Sequence, residues 1–324
     1  MYKELENLDY FCKIDFPESL SIDLSTSISN LFLRNPTVLA SGILGSSYSL
    51  LKRVEDAGAG ALTTKTITKN PREGYANPVF VDLGYGYLNA IGLRNPGADN
   101  FSKELSKAKK NIQIPIITSI GGSSVEEFIY VAERMVESGS DALEINLSCP
   151  HVEGYGLDVG SDIRLTQQII KQLKSISSKP LFAKISLHQS RIDILEKYID
   201  AGLDGISAIN AVKALAINIK ALSPILSNIS GGLSGPCIKP IALAVVYEIY
   251  REFPDIPIIG VGGIQSPEDA VEMILAGASA VGIGSAIVRK DLEIFREITR
   301  GIGRFMLDNG FKSIRELIGY IHRR

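Results

Sequence analysis

Residues 256–285 read IPIIGVGGIQSPEDAVEMILAGASAVGIGS, and the order of patterns in this stretch decides the fold. Two short apolar runs, 256–261 and 280–285, bracket an amphipathic stretch at Pro267–Leu275. Runs of this length, rich in Ile, Val and Ala without strict alternation, suit strands buried on both faces, as in parallel sheets. Ala276-Gly277 ends the helix, because a glycine just past the last turn takes the left-handed conformation and a tight turn then feeds the next strand. The unit is strand, helix, strand. Each strand runs into a glycine-rich turn, GVGGI at 260–264 and GIGS at 282–285.

The same grammar extends outward through the chain. Strands are expected at 36–41, 61–68, 114–120, 142–148, 181–186, 205–210, 256–261 and 280–285, with helices between them such as Val125–Glu137 and Ile163–Ile176. Small-residue–Gly stops recur at Ala57-Gly58, Ser138-Gly139, Ala201-Gly202 and Ala276-Gly277. Eight strands alternating with helices predict the α/β class and a (β/α)₈ TIM barrel. An open doubly wound sheet would need fewer strands and an early glycine fingerprint that is missing. Residues 1–35 read as a lead-in with a small hairpin (21–23 with Leu31–Leu33), and 36–324 as the barrel. Connections 69–113, 149–163 and 211–240 are long and follow strands, which places them at the carboxyl mouth where barrel enzymes keep their sites.

The chain of 324 residues is 45% apolar and 22% charged, with a formal net charge of −2. No basic stripe points to nucleic acid or a membrane surface. Cys12, Cys149 and Cys237 are too few for a disulfide framework or a cysteine-rich metal site, so a reduced, cytoplasmic setting is expected. The start lacks a basic segment leading into an apolar one, and no apolar run reaches the ~18 residues of a membrane span. No metal site is expected, so electron chemistry would need an organic cofactor.

Four groups of residues carry chemistry. The turns after strands seven and eight bring backbone N–H groups close to an anion, at the common phosphate site of this fold. A third cluster, GGLSG at 231–235, could cover the same ligand. Lys65 in ALTTKTIT and Lys184 in LFAKIS interrupt apolar strands near the mouth, where an ammonium could balance the charge of a reduced flavin ring. Phosphate turns and lysines together fit FMN, which has a phosphate at one end and a redox ring at the other. Asn89, Asn146 and Asn210 offer amides to a ring edged with C=O and N–H groups. Cys149, on a mouth loop, reads as a thiol able to act as general base, and His151 as either a pocket residue or a solvated one.

The stretches NPTVLASG, TTKTIT, NPREG, LNAIGLRNPG, EINLSCP, NISGGLSGPCIKPIAL, IIGVGGI and AGASAVGIGSA resemble the class 1 dihydroorotate dehydrogenases, in order from about residue 21 to 318. The match is closest to the NAD-linked subclass, whose catalytic subunit works with an iron–sulfur flavoprotein partner. The resemblance implies an FMN-containing cytoplasmic barrel of pyrimidine (UMP) synthesis, a homodimer or a heterotetramer with that partner. It implies FMN contacts from Ser41, Lys65, Thr66, Asn146, Lys184, Ile209 and Gly235, with Ser119 where the family often has Asn. Gly262, Gly263, Gly284 and Ser285 would hold the phosphate end. The pyrimidine would meet Lys65, Asn89, the backbone of Ala90, Ile91, Gly92 and Leu93, and Asn146, His151, Asn210 and Ala211. Cys149 would take a proton from C5 of dihydroorotate while hydride leaves C6 for the flavin.

His151 and Ala211 stand where the family usually has Asn and Thr or Ser, and IleSerLeuHis at 185–188 replaces the more frequent LSPN. NLSCPH also resembles the FMN domain of dihydropyrimidine dehydrogenases. Reduction or oxidation of uracil or thymine is therefore an alternative, and a non-catalytic flavin-binding barrel a third.

Overall fold

The computed structural model describes residues 22–147 and 160–323. In chain order these form β1 (Thr26–Ile28), β2 (Leu31–Leu33), β3 (Thr37–Leu39), α1 (Tyr48–Asp56), β4 (Ala61–Thr63), β5 (Phe80–Asp82), β6 (Tyr87–Asn89) and α2 (Ala98–Asn111). Then come β7 (Ile116–Ile120), α3 (Val125–Glu137), β8 (Ala142–Asn146), α4 (Ile163–Ile176), β9 (Leu181–Ile185), α5 (Ile192–Asp200), β10 (Gly205–Ala208) and the short strands β11 (Val212–Leu215), β12 (Ile217–Asn218), β13 (Ser223–Pro224) and β14 (Ser230–Ser234). The last part holds α6 (Lys239–Glu252), β15 (Ile258–Val261), α7 (Pro267–Leu275), β16 (Ala280–Ile283), α8 (Ile287–Lys290) and α9 (Ile294–Asn309).

The strands β3, β4, β7, β8, β9, β10, β15 and β16 close into one parallel barrel, β16 pairing back onto β3 through Val281–Thr37, Gly282–Val38 and Ile283–Leu39. Each barrel strand coincides with an apolar run of the sequence, trimmed by a residue or more at most ends. The trimming matters at two sites. Lys65 lies two residues past the end of β4, and Asn210 two past the end of β10, so both stand on the rim itself.

The αβ turns share a device. Gly58, Gly139, Gly202 and Gly277 all have positive φ, between 98° and 124°. Two residues after Gly139, Asp141 accepts the amide of Ile116 at 2.8 Å and the ammonium of Lys109 at 2.7 Å through one oxygen. Two residues after Gly202, Asp204 does the same with Leu181 at 2.7 Å and Lys174 at 2.6 Å. Each aspartate ties the entry of one strand to the start of its neighbour and to the helix outside, fixing strand register without help from the core.

The hairpin differs from its expected position. Its first arm is β1, not 21–23, pairing Thr26–Leu33, Ser27–Phe32 and Ile28–Leu31 across a turn at Ser29-Asn30. Asp23 instead accepts the amide of Ser25 and bridges to Ser313 near the far end of the chain. The reason is alternation: Thr26, Ile28, Leu31 and Leu33 all turn one buried face inward. Ile28, Leu31 and Leu33 pack with the inward side chains Val38, Ala61, Ile117, Ala142, Phe182, Ile259 and Ala280, closing the amino end of the barrel. The long connections also hold structure that the sequence left undivided. β11, β14, β6 and β5 form a four-stranded antiparallel sheet beside the mouth.

Leu33 is fully buried in this plug. Leu33→Ala should lower unfolding free energy by about 2–5 kcal/mol in denaturant titration, whereas the same change at exposed Phe32 (58% accessible) should have little effect.

Candidate active site

The carboxyl mouth holds two adjoining hollows, of about 710 and 1190 Å³. Ser41, Gly42, Asn89, Ile91, Lys184, Asn210 and Ala211 line both, so they form one cleft with an inner and an outer part. The inner part adds Lys65, Thr66, Gly92, Leu93, Glu144, Asn146 and Gly232. The outer part adds Ile209, Gly235, Gly262, Gly263, Gly284 and Ser285. Most residues singled out from the sequence therefore converge here. Cys149 and His151 lie outside the described residues.

Two expected contacts do not line the cleft. Ser119 is fully buried behind Thr66: the two hydroxyls are 3.0 Å apart, and the Ser119 amide donates to Thr64 Oγ1 at 3.1 Å. Thr66 Oγ1 also accepts Asn146 Nδ2 at 3.0 Å, so Ser119 fixes the residue that fixes Asn146. Its hydroxyl is too short to pass Thr66, where the longer Asn would reach further. Ala90 is likewise fully buried, in a small cluster with Leu88 and Leu226. Asn89 ends a strand rather than sitting in a loop, and alternation sends Asn89 and Ile91 towards the cleft and Ala90 away.

The polar groups are well held. Lys65 donates from Nζ to the Gly42 carbonyl at 3.3 Å, and its amide donates to Gly45 at 3.0 Å. Asn89 Nδ2 donates to the Gly232 carbonyl at 3.3 Å, in register with the Gly232–Asn89 pairing of β14 and β6. This places the 231–235 cluster along the cleft wall. Asn210 Oδ1 accepts the amide of Ala211 at 2.9 Å. Lys184, inside β9, is only 5% exposed and opens on both parts of the cleft.

The outer part has the character of an anion cradle. The N–H groups of Gly263, Gly284 and Ser285 donate to no protein acceptor among the described residues, and all three residues line the hollow. Gly263 has φ 75°, and a Cβ there would lie 2.9 Å from the Lys239 backbone nitrogen. The turn is braced from outside. Lys239 Nζ donates to Asp269 at 2.6 Å and forms an ion pair with Glu272 at 2.9 Å, while Asp269 accepts the Gln265 amide at 2.8 Å. Hydrogen bonding to Asp269 and then Glu272 holds the Lys239 ammonium above the usual lysine range. A phosphate-tailed ring fits this arrangement: unspent donors lie in the outer part, Lys65 and Asn146 in the inner part, and Lys184, Asn89 and Asn210 where the two join.

Among the charged residues of the cleft, one was missed in the sequence. Glu144 is a charge inside an apolar strand, the same signal that drew attention to Lys184.

The sequence model of the dihydroorotate dehydrogenase family matches residues 23–306. The chain is 46% identical over 297 residues to the catalytic subunit of dihydroorotate dehydrogenase B (NAD(+)) of Pyrococcus abyssi, covering 91% of this chain and 98% of that one. It is 44% identical over 303 residues to the corresponding subunit of Methanocaldococcus jannaschii, covering 92% and 98%. The crystal structure of the Eimeria tenella enzyme DHODH in complex with ferulenol superposes with a TM-score of 0.81 at 23% identity, covering 93% of this chain and 89% of that one, and shares the fold. With the family match spanning most of the barrel and the cleft residues gathered at its mouth, the chain belongs to the dihydroorotate dehydrogenase family.

Proposed function

We infer that the chain oxidises dihydroorotate to orotate in pyrimidine biosynthesis, using FMN held in the mouth cleft. The observation that carries this reading is the polarity of the cleft, with unspent N–H donors of Gly263, Gly284 and Ser285 in the outer part, Lys65 and Asn146 in the inner part, and Lys184, Asn89 and Asn210 bordering both. FMN, when bound, supplies a two-electron acceptor for hydride.

The residues divide the remaining work. Gly262, Gly263, Gly284 and Ser285 would bind the phosphate through backbone donors. Ser41, Thr66, Ile209 and Gly235 line the wall for the ring, and Lys184 provides the buried cation. Lys65 reaches both the ring and the substrate. Asn89, Asn146 and Asn210 orient the pyrimidine by donating to its carbonyls and accepting from its N–H groups, with Ile91, Gly92, Leu93 and Ala211 closing the space around it. Cys149, three residues past the end of β8 in the sequence, would take the C5 proton as thiolate, and His151 would meet the pyrimidine.

The relatives named as catalytic subunits of an NAD(+)-linked enzyme support a second, electron-transfer subunit for this chain too, and the sequence resemblance implies one of the iron–sulfur flavoprotein kind. Among the described residues no helix is long and apolar enough to cross a membrane. A cytoplasmic setting accords with the cysteine usage.

Anaerobic titration of the purified protein with dihydroorotate should bleach its flavin, while dihydrouracil should not; the reverse preference would overturn the substrate assignment. Cys149→Ser should retain FMN but slow bleaching by ~10²–10⁴-fold, with recovery at higher pH because a hydroxyl is a poorer source of anion. Lys65→Ala should slow bleaching at least about tenfold and weaken FMN retention, read by stopped flow and gel filtration. Gly263→Ala should lose FMN while keeping the fold by circular dichroism, since the new Cβ meets Lys239 and the backbone is left-handed there.

A further inference from the structure

Glu144 stands on β8 two residues before Asn146, and strand alternation sends both side chains to the same side, into the cleft floor. It is only 2% exposed. Oε2 accepts the Ser207 hydroxyl at 2.7 Å, while Oε1 is buried with no hydrogen-bond partner. The other buried glutamate, Glu55, is fully met: it takes Lys52 at 2.8 Å and the Gln113 amide at 2.6 Å. A buried carboxylate with one hydroxyl partner is costly unless an opposite charge lies near.

That charge is Lys184. It lines the same inner hollow, and among the described residues it forms no ion pair. The strand registers bring the two together: Lys184 pairs with Asn146 on β8 and with Ser207 on β10, the residue whose hydroxyl holds Glu144. Acid and lysine thus stand on neighbouring strands of the barrel interior, Ser207 bonding the acid through its hydroxyl and pairing with Lys184 through its backbone.

We propose that Glu144 is a positioning residue for the cofactor's charge: its carboxylate offsets part of the field of Lys184, so that the pair, not the lysine alone, sets the reduction potential of bound FMN. This rests on the FMN reading above. A negative charge in the cleft floor would disfavour the electron-rich reduced form of a flavin held there, and the lysine would favour it. Removing the carboxylate should therefore shift the ratio of oxidised to reduced affinities about tenfold towards the reduced form, or ~30 mV upward for a two-electron couple.

The test is the FMN potential of purified holoprotein by anaerobic equilibration with reference dyes, alongside the affinity of the apoprotein for oxidised FMN. Glu144→Gln should raise the potential by about tenfold in that ratio, with oxidised FMN still bound. Lys184→Met should lower it, and adding Glu144→Gln to Lys184→Met should bring it back towards the parent. The double variant buries no net charge, so it serves even if the single glutamate variant fails to fold. An unchanged or lowered potential in Glu144→Gln, or a double variant no higher than Lys184→Met, overturns the Glu144 assignment alone. A parent protein that takes up no FMN overturns the cofactor reading, and this proposal with it.

Discussion

In a closed barrel of parallel strands every backbone donor and acceptor within the wall is paired, and all the strands end at the same rim. That closure is the constraint on which the rest of this molecule depends. Residues as distant in the chain as Ser41, Asn146 and Ser285 meet because each follows or ends a strand of the same wall. Register must then be held tightly, since a slip of one residue would turn each inward side chain outward. Asp141 and Asp204, each gripping the first amide of the preceding strand and a helix lysine, hold it from outside the core.

Within the wall, the interior is layered. The floor is apolar, where Phe182, Ile117 and Ile259 meet the hairpin side chains. One layer up the interior turns polar, with Glu144 and Ser207, and above it Asn146 and Lys184 open on the cleft. Electrostatic interactions strengthen where water is excluded, so charges placed between an oily floor and a cleft act more strongly than the same charges at the surface.

Much of this was legible in the sequence because burial on both faces leaves a plain mark. The apolar runs located all the barrel strands, and the glycine stops located four of the turns between helix and strand. Residues of strand tips and glycine turns, such as Asn146 and Gly263, were legible for the same reason: their position relative to a strand end decides where they point. The sheet beside the mouth was not, because strands such as β5 are three residues long and largely exposed, leaving no hydrophobic pattern to read. Ser119 and Ala90 show a second limit. A residue's strand end can be located from sequence, but whether a neighbour such as Thr66 stands in front of it is a matter of packing. Glu144 was legible in principle, as a lone charge in an apolar strand, yet its significance depends on Lys184 one strand away.

The hairpin that stoppers the amino end has a consequence for traffic. Among the described residues the base of the barrel is stoppered by its own chain, so the cleft opens at the opposite end, where the glycine turns and the amide groups sit. A molecule bound in the cleft therefore faces the rim rather than the base, and exchange with solvent on the described side runs past the strand tips.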